Sequence, residues 1–127
     1  MIPMSQVRFL YPLPNSETKM REYTPHCWKV IEIKYDAEAE PHYRVAAGWR
    51  GGYLDGDSWK INSGIAAFDY DGDYILFTGD TGSVYRCHRD AEGLNGYTSS
   101  VVESYNTDHQ KLGGYVKQVS FEEFLRA

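Results

Sequence analysis

Six aspartates crowd the middle of the chain: Asp55, Asp57, Asp69, Asp71, Asp73 and Asp80. The same window holds one base, Lys60, so its net charge equals the −5 of the whole chain. On one face these carboxylates would build a concentrated negative field. Such a field steers encounters toward basic partners and disfavours contact with nucleic acid. A basic protein surface is commonly one that itself binds nucleic acid. Tyr70 and Tyr74 flank the Asp71-Gly72 pair, and Trp59 lies upstream. Tyrosine and tryptophan add contact area with a polar tip, as interface hot spots do. The window therefore reads as a partner-binding surface of Asp55, Asp57, Trp59, Tyr70, Asp71, Asp73, Tyr74 and Asp80. The plainer reading is that aspartates populate turns, where their side chains satisfy local backbone groups.

Other chemistries fit the residues less well. The string Asp69-Tyr70-Asp71-Gly72-Asp73 begins like an oxygen-rich calcium loop. An EF-hand needs glycine at its sixth position and a bidentate glutamate at its twelfth. Here those positions hold Tyr74 and Asp80. The pairs His26-Cys27 and Cys87-His88 together suggest zinc. Both fall in expected strands, however, where neighbouring side chains point to opposite faces. Structural zinc sites usually space paired ligands two to four residues apart. No metal and no cofactor is expected. Asp80-Thr81-Gly82-Ser83, after the apolar Ile75-Leu76-Phe77, resembles the active-site string of aspartic proteases. Those enzymes use two carboxylates sharing one proton, so so short a chain would have to dimerise. Gly79 stands where that family has an apolar residue, and Leu112-Gly113-Gly114 is a poor version of its second motif. A Cys–His nucleophile has no fixed geometry in the sequence, and Gly48-Trp49-Arg50-Gly51-Gly52 lacks the Lys-Ser/Thr ending of a phosphate loop.

Composition sets the frame for these residues. The chain has 127 residues, 42% of them hydrophobic and 24% charged, with eleven tyrosines. That describes a single folded domain over 1–127 and argues against disorder. No apolar run approaches the roughly 20 residues of a membrane helix, and no secretory leader is visible at the start. A cytoplasmic, reducing setting with free thiols at Cys27 and Cys87 is expected. The acidic balance excludes a general polyanion binder.

The elements that must position the aspartates are mostly strands. Residues 7–11 read as a strand ended by Pro12 and Pro14, and 14–25 as a loop. Alternation predicts strands over 26–35 and 42–49, with Tyr43, Val45, Ala47 and Trp49 on one face of the second. Trp59-Lys60-Ile61 follows. A meander of 65–70, 73–78 and 83–88 comes next, its first turn an Asp71-Gly72 type I′ hairpin. Ser100 and Glu103 have capping-box spacing and predict a helix over roughly 100–110, closed near Gly113-Gly114. Residues 115–119 form a short strand. Ser120 and Glu123 repeat the capping box, and Phe121, Phe124 and Leu125 give a helical face to dock on the sheet. The fold expected is α+β: a twisted antiparallel sheet of hairpins and meander, with one or two C-terminal helices packed on one face.

The stretch from Trp59 to about Val102 resembles short, uncharacterised accessory proteins of bacteria, prophages and phages. The matching pieces are Trp59 to Ile65, Gly79 to His88, Gly93 to Tyr97, and Val101-Val102. The resemblance implies no activity. It does imply a mobile-element accessory protein, a class that includes anti-CRISPR inhibitors. The expected function is thus a non-enzymatic protein-binding inhibitor of anti-defence type. Its partner would be a protein with a basic surface, such as a CRISPR effector or other nuclease, with no direct nucleic-acid or membrane contact. Two alternatives stand beside it: an aspartic-type hydrolase acting as a homodimer through Asp80, and a toxin-neutralising or immunity partner protein.

Overall fold

A strand that is apolar on both faces must be covered twice. The strand β3 (Cys27–Asp36) is of that kind. Trp28 and Val30 are buried on one face, Ile31 and Ile33 on the other. The computed structural model describes residues 8–9, 21–51 and 56–127. Among them the order is β1 (Arg8–Phe9), β2 (Glu22–Tyr23), β3, β4 (His42–Trp49), β5 (Ser58–Ile61), β6 (Ile65–Asp71), β7 (Tyr74–Gly79) and β8 (Val84–His88). A short 3-10 turn (Arg89–Ala91), α1 (Gly96–Gln110), β9 (Gly113–Val119) and α2 (Phe121–Arg126) complete it. The remainder of the 7–11 strand, most of the 14–25 loop and Asp55 lie outside the described residues.

The class is α+β, with largely antiparallel strands and helices toward the C-terminus, as expected. The strands divide into two sheets, where the sequence suggested one. The first has the order β1-β6-β7-β8-β2 and the second β5-β4-β3-β9. The division follows from pairing across the chain. β9 returns to pair antiparallel with β3, from Val30 opposite Val119 to Asp36 opposite Gly113. β2, inside the expected loop, adds a two-residue parallel rung to β8.

Two cores result. Trp28, Val30, Val45 and Ala47 of the second sheet meet Ile75, Phe77, Tyr85 and Cys87 of the first. α2 closes one side of this layer, with Phe124 buried and Phe121 half-buried. On the other face of β3, Ile31, Ile33, Ala46 and Val116 pack against Val102 of α1. The second sheet is therefore the middle layer of three. Close approach of α1 depends on Gly48, where a Cβ would lie 2.4 Å from the Thr98 hydroxyl and 2.9 Å from the Cys27 sulfur.

Local signals misplace three details. α1 starts earlier than Ser100 suggests: Asn95 is its N-cap, and its side-chain oxygen accepts from the Thr98 N–H at 2.8 Å. Ser100 instead lies inside the helix and donates to the Tyr97 carbonyl. The β6–β7 turn is centred on Gly72-Asp73, since Asp71 and Tyr74 are paired. Only Gly72 has positive φ, at 58°. That is the glycine-first pattern of a type II′ turn, whereas type I′ needs both central residues left-handed. The capping at Ser120 is present, its hydroxyl accepting from the Glu123 N–H. Leu125 nevertheless points outward, at 45% exposure.

Candidate functional site

The acidic window is split by the length of a strand. β7 runs six residues from Tyr74 to Gly79. At about 3.3 Å per residue that sets ~20 Å between the Asp71–Asp73 tip and Asp80. Trp59 lies on the other sheet, edge-on to Tyr105 of α1 at 6.0 Å. Asp57 is exposed just before β5, the edge strand of that sheet. Tyr70, Asp71, Asp73 and Tyr74 share the β6–β7 end, with Asp71 and Tyr74 on the face of Arg86 and Tyr70 on the opposite face; Asp57, Trp59 and Asp80 stand elsewhere.

At the tip, Asp71 accepts from the Arg86 guanidinium at 2.6 Å, and both groups remain open to solvent. The same guanidinium sits 4.1 Å from the centre of the Tyr74 ring. Its bond to Asp71 pushes the Arg86 pKa further up. Asp73 is exposed, and its carbonyl accepts from the Arg89 N–H. This bond carries the chain into the 3-10 turn that displays Asp90. Tyr70 leans on Phe121.

Beside Tyr70 a groove of about 620 Å³ opens between the first sheet and α2. Arg89, Asp90, Glu92, Glu122 and Leu125 line it over a floor of Trp28, Ile75 and Phe121. Glu92 is anchored: it accepts from Lys29 at 3.0 Å and from the Phe121 N–H at 2.8 Å. Asp90 and Glu122 are exposed. These carboxylates fall outside the Asp55–Asp80 window, and sequence reasoning missed them. Their relation to Tyr70 depends on α2 docking more than fifty residues downstream, which no local spacing records.

At the other end of β7, the Asp80 turn is tied to the β5–β6 loop. The Asp80 N–H donates to the Gly64 carbonyl at 3.1 Å, and the Thr81 N–H to the Ser63 hydroxyl at 3.2 Å. Asp80 faces a cavity of about 390 Å³ lined also by Tyr35, His42, Arg44 and Ser63. It is the single carboxylate among the described lining residues. The aspartic-protease string here forms a turn that closes on the neighbouring loop.

Arg44 was not singled out in the sequence, yet it organises this end. Its Nε donates to His42 Nε2 at 3.2 Å and its terminal nitrogens to the Asn62 carbonyl and the Tyr35 hydroxyl, at 3.2 and 2.9 Å. The His42 pKa is lowered, first by burial and then by Arg44 and His109, against an opposing pull from Asp80. One signal was available: on β4, His42 and Arg44 share a face with the buried Ala46, so two basic groups point inward.

His26 and His88 each accept a backbone N–H through Nδ1, from Arg50 and Asp90. Cys27 and Cys87 are free thiols, the second fully buried, with burial pushing its pKa up. Among the described residues no group of three or more His, Cys, Asp and Glu side chains is placed to hold a metal ion. No described helix is long and apolar enough to cross a membrane. No known protein family, curated protein or solved structure matches the chain.

Proposed function

We propose that the protein is a non-enzymatic binding inhibitor that presents the β6–β7 tip and its adjoining groove to a basic, nucleic-acid-binding surface of a protein partner. One observation carries this reading: Tyr70, on the strand that ends in Asp71, lines a groove whose rim adds Asp90, Glu92 and Glu122. Carboxylates from the 3-10 turn, the residue after it and α2 thus rim one aromatic floor, and Asp71 follows Tyr70 on the other face of the hairpin. With three carboxylates against Arg89 the rim is net negative and steers a cationic partner, while aromatic surface at the centre supplies buried contact. An arginine-rich surface fits, since guanidinium pairs with carboxylates and stacks on rings. A nuclease of a defence system, including a CRISPR effector, is the partner class that the resemblance to mobile-element proteins suggests.

The test is affinity capture from a bacterial lysate at low and raised salt. Wild type is compared with Asp71→Lys/Asp73→Lys and, as control, with Glu38→Lys/Glu40→Lys in the exposed β3–β4 turn. The expected result is a salt-sensitive nucleic-acid-binding protein retained by wild type and control, and reduced at least ~10-fold by the tip variant. Equal retention by both variants overturns the assignment of this surface.

A further inference from the structure

The cleft around Arg44 holds a cation that makes no ion pair among the described residues, Asp80 lying across the cavity beyond pairing distance. The guanidinium is half-buried and its three protein acceptors are all neutral. Among the described residues no carboxylate lies within 4.0 Å of it. Arginine carries five N–H donors, so two remain unused by the three bonds observed. A cation partly removed from water, held rigid and left unpaired, attracts an anion of matching geometry.

The neighbouring surface says what else that anion should carry. A second cavity, of about 280 Å³, shares Tyr35 and Arg44 with the one beside Asp80. Its other walls are Ile33, Ile61, Trp59, Tyr105 and His109. Tyr35 is sandwiched between His42 and His109, with ring centres 5.0 and 5.5 Å away, and this fixes the hydroxyl that Arg44 meets. An aromatic and aliphatic wall beside one oriented cation is the usual make-up of a small-molecule site. Asp80, in the adjoining cavity, opposes a second negative charge.

From this we infer that the Arg44 cleft binds a small aromatic molecule bearing one singly charged acid, a carboxylate. The acid pairs with Arg44 and the ring lies against Trp59 and Tyr105. This site stands apart from the β6–β7 tip and does not depend on the function proposed for it.

The experiment is an NMR titration of the isotope-labelled protein, reading the Arg44 side-chain N–H and the Trp59 indole N–H. Indole-3-acetate is the probe, with acetate, inorganic phosphate and phenyl phosphate as comparisons. Indole-3-acetate should shift both signals saturably and bind at least ~10-fold more tightly than acetate or either phosphate. Arg44→Lys should weaken it at least ~10-fold, because a bidentate partner is lost. Trp59→Leu, on an edge strand, should do the same while acetate binding stays unchanged, which keeps the test open if Arg44→Lys fails to fold. Asp80→Asn should tighten binding several-fold. No saturable shift at these two signals overturns the inference. So does acetate binding as tightly as indole-3-acetate, or unaltered affinity in Trp59→Leu.

Discussion

The two ends of β7 handle charge in opposite ways. At the tip, Asp71 and Arg86 meet in solvent, with Tyr74 beneath the guanidinium and Asp73 exposed. At the other end, Arg44 is held by His42, Asn62 and Tyr35, and the Asp80 turn donates backbone N–H groups to the Gly64 carbonyl and the Ser63 hydroxyl. Exposed ion pairs add little to stability because water and salt screen them. Buried polar networks are costly to break because their members cannot fall back on water. Changes at the tip should therefore cost the fold little, whereas Asn62, buried beside the cleft, ties the backbone of β4 to the β5–β6 loop.

Asn62 is the place to break that contrast. It is 3% exposed, and its side-chain oxygen accepts from the N–H groups of Val45 and Gly64. Asn62→Ala strands the Val45 donor, so chemical denaturation should show a loss of ~1–3 kcal/mol. A change within error would mean that the cleft is no more structural than the tip.

A smaller effect should follow from acidification. His42 has its pKa lowered below the ordinary 6.5 by burial, by Arg44 and by His109, with Asp80 pulling the other way. The unfolded chain then binds the proton more readily than the folded one. The stabilisation is present above about 6.5 and is lost as pH falls through the lower folded value. The slope of stability against pH just below 6.5 should flatten in His42→Gln. An unchanged slope in that variant would remove His42 from the account.

The smallest effect belongs to the tip. Arg86→Ala should leave the unfolding midpoint within error while changing the salt dependence of partner binding. A clear fall in the midpoint would show that the Asp71–Arg86 pair is structural after all, and the comparison would fail.

The sequence announces the tip and hides the cleft, for a physical reason. The hairpin is local: a glycine-aspartate turn joins two alternating strands between Ile65 and Gly79, and β4 is recognisable at both ends by alternation alone. The cleft is assembled from Tyr35, Arg44, Asn62, Asp80 and His109, which meet only when the sheets pair and α1 folds back. Trp59 and Asp80 were grouped by sequence distance with carboxylates that lie on another part of the fold. The start of α1 shows the same limit. Ser100 and Glu103 have good capping-box spacing, yet Asn95 captures the helix because it alone is followed by the turn that docks Thr98 against Gly48.

Cys87 reports on the opening of the first core. Its thiol lies wholly inside the first core, with Ile75 opposite it on β7 and its pKa raised by burial, while Cys27 is only half-buried. A thiol reagent reaches such a sulfur only when the sheet opens, and then attacks it as in any unfolded peptide. The slow phase of labelling at Cys87 would thus be a clock wound into the first core: each tick one opening of that core, counted without an added tag or ligand.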